Sequence, residues 1–233
     1  MTYMIDTTIV IPAYKPYTLL KRCVDSIINT TDLSRACVVV VCNGSDRESA
    51  DYILNLNNPS ITLVWCSEAL GYPKATNIGI KIATTPYIIL LNSDVILFQQ
   101  PKHWWVEKMV SPLRTTPNLA ITGLTQVWLF GRSFFPFAHV ALKREIFEKL
   151  GYIDETFSPG YGEDIDYCFK ITDAGYDSLI VADLVPDDNA RTNLSSFPIF
   201  HGGKESFGDE RGTALQTRGF QIIKQKYFNK WLI

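Results

Sequence analysis

Asn92-Ser93-Asp94 follows Tyr87-Ile88-Ile89-Leu90-Leu91, an unbroken apolar run. Such a run suits a strand buried on both faces, as in parallel α/β sheets. A carboxylate just past the carboxyl end of that strand stands where open α/β sheets bind ligands. Asp94 has the chemistry to hold a hard cation against a phosphate there. The same three residues also make an ordinary turn. Three earlier strand ends carry polar or turn residues: Pro12-Ala13-Tyr14-Lys15-Pro16, Asn43-Gly44-Ser45-Asp46, and Ser67 to Lys74 with Gly71 inside. In a doubly wound sheet these four loops share one edge and together can line a nucleotide site. Tyr14 offers a flat face for a base, Asn43 an amide for its polar edge, and Lys74 a cation for phosphate. A lysine near a helix start opposes the helix dipole, which favours a ligand role for Lys74. Ordinary packing for Tyr14 and simple solvation for Lys74 are the competing readings.

Two further constellations lie downstream. Tyr161-Gly162-Glu163-Asp164-Ile165-Asp166 opens a helix. Acidic residues in a first turn are favoured by the dipole alone. The same field is expected to keep a carboxylate ionised near neutral pH, as a general base requires. The preceding Phe157-Ser158-Pro159-Gly160-Tyr161-Gly162 provides aromatic and backbone surfaces suited to a sugar ring. His201-Gly202-Gly203 puts a histidine on a flexible turn, open to metal ligation, to closure over a ligand, or to a structural role.

These positions require a scaffold, and the first hundred residues describe one. Strand-like runs at Thr8–Ile11, Cys37–Cys42, Ile61–Cys66 and Tyr87–Leu91 alternate with helical patterns at Thr18–Thr30, Arg47–Leu56 and Lys74–Ala83. This rhythm predicts right-handed crossovers and a mainly parallel central sheet flanked by helices. The second half is less regular. Helices are expected at Trp104–Arg114, Lys143–Leu150, Glu163–Ala174 and Thr213–Phe228, and strands at Leu119–Gly123 and Ser178–Val181. Gln126–Ala141, rich in Trp and Phe, reads as loop and hairpin or a mixed-sheet element. Asp183–Phe200 is polar and irregular, a candidate mobile loop.

At 233 residues the chain suits one large domain, with a nucleotide-binding half over about 1–98 and an acceptor and catalytic half over about 99–233. With 46% hydrophobic residues and a formal net charge of -2, it reads as a globular protein for which nucleic acid is not an obvious partner. No run approaches membrane-spanning length, so a cytoplasmic protein is expected, with peripheral membrane contact compatible. The cysteines Cys23, Cys37, Cys42, Cys66 and Cys168 are odd in number and lack C-x-x-C spacing, which points to free thiols.

Val10-Ile11-Pro12-Ala13-Tyr14, Val39-Val40-Val41-Cys42-Asn43-Gly44-Ser45, Gly71 with Ala75-Thr76-Asn77-Ile78-Gly79, Leu91-Asn92-Ser93-Asp94, Lys143 through Glu155, and Gly162-Glu163-Asp164 occur in that order. In order and spacing they resemble the family 2 inverting glycosyltransferases of GT-A fold, from about Thr8 to about His201. The resemblance implies a Rossmann-like α/β domain with a smaller mixed acceptor-side sheet. It also implies transfer of a sugar from a UDP-, GDP- or dTDP-linked donor to a hydroxyl of a glycan, lipid-linked or protein acceptor. Pro12, Ala13, Tyr14, Asn43, Gly71, Lys74, Asn77, Asn92, Ser93 and Asp94 would bind the donor. Asp94 would hold Mn²⁺ or Mg²⁺, completed by His201. Asp164 would deprotonate the acceptor, with Tyr161, Gly162 and Glu163 on the acceptor side. The fuller metal motif has Asp where this chain has Asn92, which leaves one carboxylate for the metal. A sugar-phosphate nucleotidyltransferase and a non-catalytic nucleotide or glycan binder are the alternatives. The first normally carries a glycine-rich loop and an Arg after strand one, where this chain has Pro-Ala-Tyr-Lys-Pro.

Overall fold

The structure, a computed structural model, describes residues 4–14, 16–181, 197–202 and 209–228. Four parallel strands, β1 (Thr7–Ala13), β2 (Ala36–Asn43), β3 (Ile61–Cys66) and β4 (Tyr87–Leu91), alternate with α1 (Tyr17–Thr30), α2 (Arg47–Asn55) and α3 (Tyr72–Ile82). Beyond them come β5 (Val95–Leu97), α4 (Trp104–Thr115), β6 (Leu119–Gly123), β7 (Val127–Leu129), β8 (Arg132–Phe134) and β9 (His139–Lys143). The chain continues through α5 (Arg144–Leu150), a 3-10 turn (Glu155–Phe157), α6 (Glu163–Asp173), β10 (Asp177–Ile180), β11 (Ile199–His201) and α7 (Asp209–Tyr227).

The main sheet has the order β10-β6-β9-β4-β1-β2-β3. Only β9 runs against its neighbours, pairing antiparallel with both β4 and β6. The aromatic-rich stretch expected to be hairpin or sheet therefore divides. β7 and β8 form a separate two-stranded hairpin, and β9 enters the main sheet. The other small sheet is β5 paired antiparallel with β11. The expected smaller sheet is thus two separate antiparallel pairs, while β6, β9 and β10 extend the sheet of the first four strands.

Alternation along β1 sends Ile9 and Ile11 to one face and Val10 to the other. On the first face they meet Cys23, Val24 and Ile27 of α1 and Trp105, Val106 and Met109 of α4. Fully buried Trp105 donates its indole N–H to Thr31 Oγ1 at 2.9 Å, which satisfies its one polar atom. On the second face Val10 belongs to a core that also takes in Ile80 of α3, Phe147 of α5, and Tyr167 and Phe169 of α6. The sheet is covered on both sides, as the apolar strands require. The five cysteines are free thiols. Among the described residues no helix is long and apolar enough to cross a membrane. The polar stretch expected from Asp183 lies outside the described residues as far as 196, and its end forms part of β11. Lys15 and Gly203 also lie outside them.

Candidate functional site

The carboxyl ends of β1, β2 and β4 open onto one pocket. Its walls include Pro12 and Tyr14 after β1, Asn43 at the end of β2, and Ala69, Gly71 and Tyr72 where α3 begins. Asn92, Ser93 and Asp94 follow β4, and Pro159 and Arg211 close the far side. Gly71 has φ +88°, and a Cβ there would lie 2.6 Å from Pro159 Cα. Only glycine allows the two loops to touch there, and Tyr72 N–H then bonds Pro159 O at 2.8 Å. Asn43 is nearly buried, and its Oδ1 accepts the Leu70 N–H at 2.6 Å, which fixes the third loop.

The other expected donor residues fall elsewhere. Ala13 is buried, and its carbonyl accepts from Ser45 Oγ at 2.7 Å. Asn77 is buried and bound on every side. Its amide nitrogen reaches Ile153 O at 2.8 Å and Glu155 Oε1 at 3.0 Å, and its oxygen accepts from Ile153 N at 3.1 Å. It ties α3 to the segment after α5 and has no place on the pocket wall. Lys74 is exposed and off the wall as well, because the turn of α3 carries it away. Among the described residues, the cation on the wall is Arg211, from α7.

His201 reaches Asp94 through sheet pairing. β11 runs antiparallel to β5 with His201 opposite Val95, and Gly202 N–H bonds Asp94 O at 3.2 Å. His201 Nε2 lies 3.3 Å from Asp94 Oδ1 and 3.4 Å from Asn92 Nδ2. One imidazole nitrogen cannot accept from Asn92 and donate to Asp94 together. The Asn92 Oδ1 atom is buried without a hydrogen-bond partner. A carboxylate, an imidazole and an unsatisfied amide oxygen form a donor set that suits Mn²⁺ or Mg²⁺ with its remaining positions on phosphate or water. Among the described residues no cluster of three or more His, Cys, Asp and Glu forms a full protein cage. Behind His201, the buried His139 ring stands edge-on at 5.8 Å. Burial, then the His201 charge, pushes its pKa down to about 4, which keeps it neutral.

Gly162 caps α6 in a left-handed conformation, and Asp164 sits in its first turn with Oδ1 accepting the Ile165 N–H at 2.8 Å. Burial outweighs the helix dipole here, although the carboxylate still ionises below neutral pH. Removal from water pushes the Asp164 pKa up to about 6, although backbone N–H groups oppose the rise. A helix end is worth only ~0.3–1 kcal/mol when exposed, too little to offset burial. Glu163 is buried, its Oε2 has no partner, and burial followed by the Asp164 charge lifts its pKa well above the carboxylate range. Burial thus raises both neighbouring carboxyls, Glu163 further than Asp164. Tyr72 stands between this pair and Asp94. Its buried phenol is raised by desolvation and then by the Glu163, Asp164 and Asp94 charges, and it donates to Phe137 O at 2.6 Å. Tyr161, with φ +74°, precedes the cap.

The sequence model of glycosyl transferase family 2 matches residues 8–164, from β1 to the Asp164 turn. The chain belongs to glycosyl transferase family 2. Among solved structures, it resembles the mannosyltransferase PcManGT from Pyrobaculum calidifontis in complex with GDP-Man and Mn²⁺ at 20% identity and a TM-score of 0.62, over 80% of this chain and 59% of that one. It also resembles GalNAc-T7 with UDP, GalNAc and Mn²⁺ at 16% identity and a TM-score of 0.71, over 94% of this chain and 48% of that one. These likenesses establish the GT-A fold, and this family 2 chain spans less than two thirds of either structure. No curated protein sequence matches it.

Proposed function

We propose that this family 2 member is a divalent-metal-dependent inverting glycosyltransferase that moves a sugar from a nucleoside-diphosphate donor to an acceptor hydroxyl. One observation carries the reading: Asp94, on the wall of the strand-end pocket, lies 3.3 Å from His201. Tyr14 and Asn43 line the part of the pocket suited to a base, and Arg211 lends positive charge to a diphosphate. Asp94, His201 and the Asn92 oxygen would hold Mn²⁺ or Mg²⁺. A cation bound there supplies Lewis-acid stabilisation to a departing diphosphate.

Asp164, with a pKa of about 6, is ionised at neutral pH and basic enough to take the acceptor proton. Attack from the face opposite the leaving diphosphate inverts the anomeric centre. Glycan, lipid-linked and protein hydroxyls are all compatible acceptors. Release of nucleoside diphosphate from UDP-, GDP- and dTDP-sugars, with Mn²⁺ and with EDTA, tests the reading. Asp164→Asn should bind donor normally and lose about 10²–10⁴-fold in transfer. Near-wild-type turnover in that variant would remove Asp164 as the base.

A further inference from the structure

Charge is unevenly distributed along this chain. The formal net charge is -2, yet residues 211–233 carry Arg211, Arg218, Lys224, Lys226 and Lys230 and no Asp or Glu. Phe220, Tyr227, Phe228 and Trp231 are interleaved with them. This basic and aromatic stretch begins at the pocket with Arg211. α7 then carries it away, about 20 Å by Lys224 at 1.5 Å per residue.

At its far end α7 meets the β7–β8 hairpin. The Phe130 ring lies 5.2 Å from Phe228 and 6.4 Å from Phe220, and Lys224 Nζ is 5.5 Å from the Phe130 centroid. The hairpin is a sheet of two strands, outside the main sheet. Its tip is apolar and stands in solvent: Trp128 is 69% exposed, and Val127 and Phe130 are exposed beside it. Three of the large exposed apolar side chains thus fall within four consecutive residues, next to a lysine. Asp173, the acid beside the hairpin, is neutralised by Arg132 at 2.6 Å. Lys226 is bound to Asp154 and Asp166, whereas Lys224 is exposed and Arg218 meets the carbonyl oxygens of Thr156 and Ser158.

We propose that this corner is a docking surface for an anionic membrane, with the Trp128–Phe130 tip seated at the interface and the exposed Lys224 of α7 facing the headgroups. Tryptophan and phenylalanine beside lysine are the side chains that partition to the boundary between headgroups and acyl chains. A few apolar side chains hold weakly, so the cations are needed to make the contact stable on anionic lipid. A second copy of the chain is a poorer occupant, because it would bring two sets of like charges together. The surface is distinct from the pocket and does not depend on the transfer chemistry.

Flotation of the full chain with phosphatidylcholine vesicles, with and without phosphatidylglycerol, tests the proposal. The chain should float with the anionic vesicles only and leave them at high salt. Trp128→Ser with Phe130→Ser should abolish flotation, with some loss of melting temperature because Phe130 packs on Phe228 and Phe220, whereas Trp128→Ser alone should weaken flotation with an unchanged melting temperature. Lys224→Ala should weaken partitioning about fivefold, and provides a second measure should the double variant fail to fold. Absence of flotation on anionic vesicles overturns the proposal, as does binding that survives the double variant. A dimer that the double variant dissolves also overturns it, in favour of self-association.

Discussion

Asp164 and Glu163 are adjacent carboxyls with different tasks, and pH separates them. Asp164, raised to about 6 by burial, must be ionised to act as a base, so transfer should fall with an acid limb near pH 6. A flat rate between about pH 5 and 8 would exclude it. Glu163 acts on stability. Its folded pKa is raised, so the folded state favours the proton. That contribution is complete below the unfolded value of about 4.3 and is lost as pH rises through the folded value. Glu163→Gln should therefore raise the melting temperature at about pH 8, leave it unchanged at about pH 4, and keep the acid limb of activity in place. Arg211 is the third residue whose charge decides something. Arg211→Ala should raise the donor KM and weaken nucleoside diphosphate far more than nucleoside, with Arg211→Lys recovering part of the loss. Equal effects on both ligands would place Arg211 away from the phosphates.

At the scale of elements, α7 is the one that brings Arg211 to the pocket, and Gly219 sets how near it comes. A Cβ on Gly219 would stand 2.3 Å from Tyr161 O, a backbone atom that cannot swing aside. Gly219→Ala should therefore destabilise by about 1–3 kcal/mol despite the better helix propensity of Ala. It should also raise the donor KM by moving Arg211. An unchanged KM with lowered stability would show that α7 packing and the pocket are uncoupled. The elements themselves were mostly legible: Ile61–Cys66, Tyr87–Leu91 and Leu119–Gly123 are strands with the expected limits, because their apolar runs have no competing pattern. β9 was less legible, because local sequence does not say that His139–Lys143 leaves the aromatic stretch to run antiparallel between β4 and β6. At the site, the strand-end loops could be read from polar residues after apolar runs. The Arg211 contact could not, since it depends on where α7 docks. The rise in the Asp164 pKa could not be read either, because a sequence shows charge order and not depth of burial.

At the scale of the molecule, the pocket draws on both halves: Tyr14, Asn43 and Asp94 come from the first, Pro159 and Arg211 from the second. The two halves share one sheet, with β9 of the second pairing along the whole of β4. His201 likewise joins Asp94 through the β5–β11 pair. A ligand that touches both halves together binds only the folded chain, so its affinity adds to global stability. Saturation at 100 times Kd contributes about 2.7 kcal/mol, and for a protein of this length each kcal/mol moves the melting temperature by about 2–4 °C. Nucleoside diphosphate with Mn²⁺ should therefore raise the melting temperature by about 5–11 °C. EDTA should remove most of that rise in the wild-type chain. Asp94→Ala should melt normally without ligand and show little response to metal, because the variant lacks the carboxylate that faces His201. A nucleotide-induced rise of equal size with and without metal, in both proteins, would mean that Asp94 serves as a turn residue and that the diphosphate is held by Arg211 and backbone N–H groups alone.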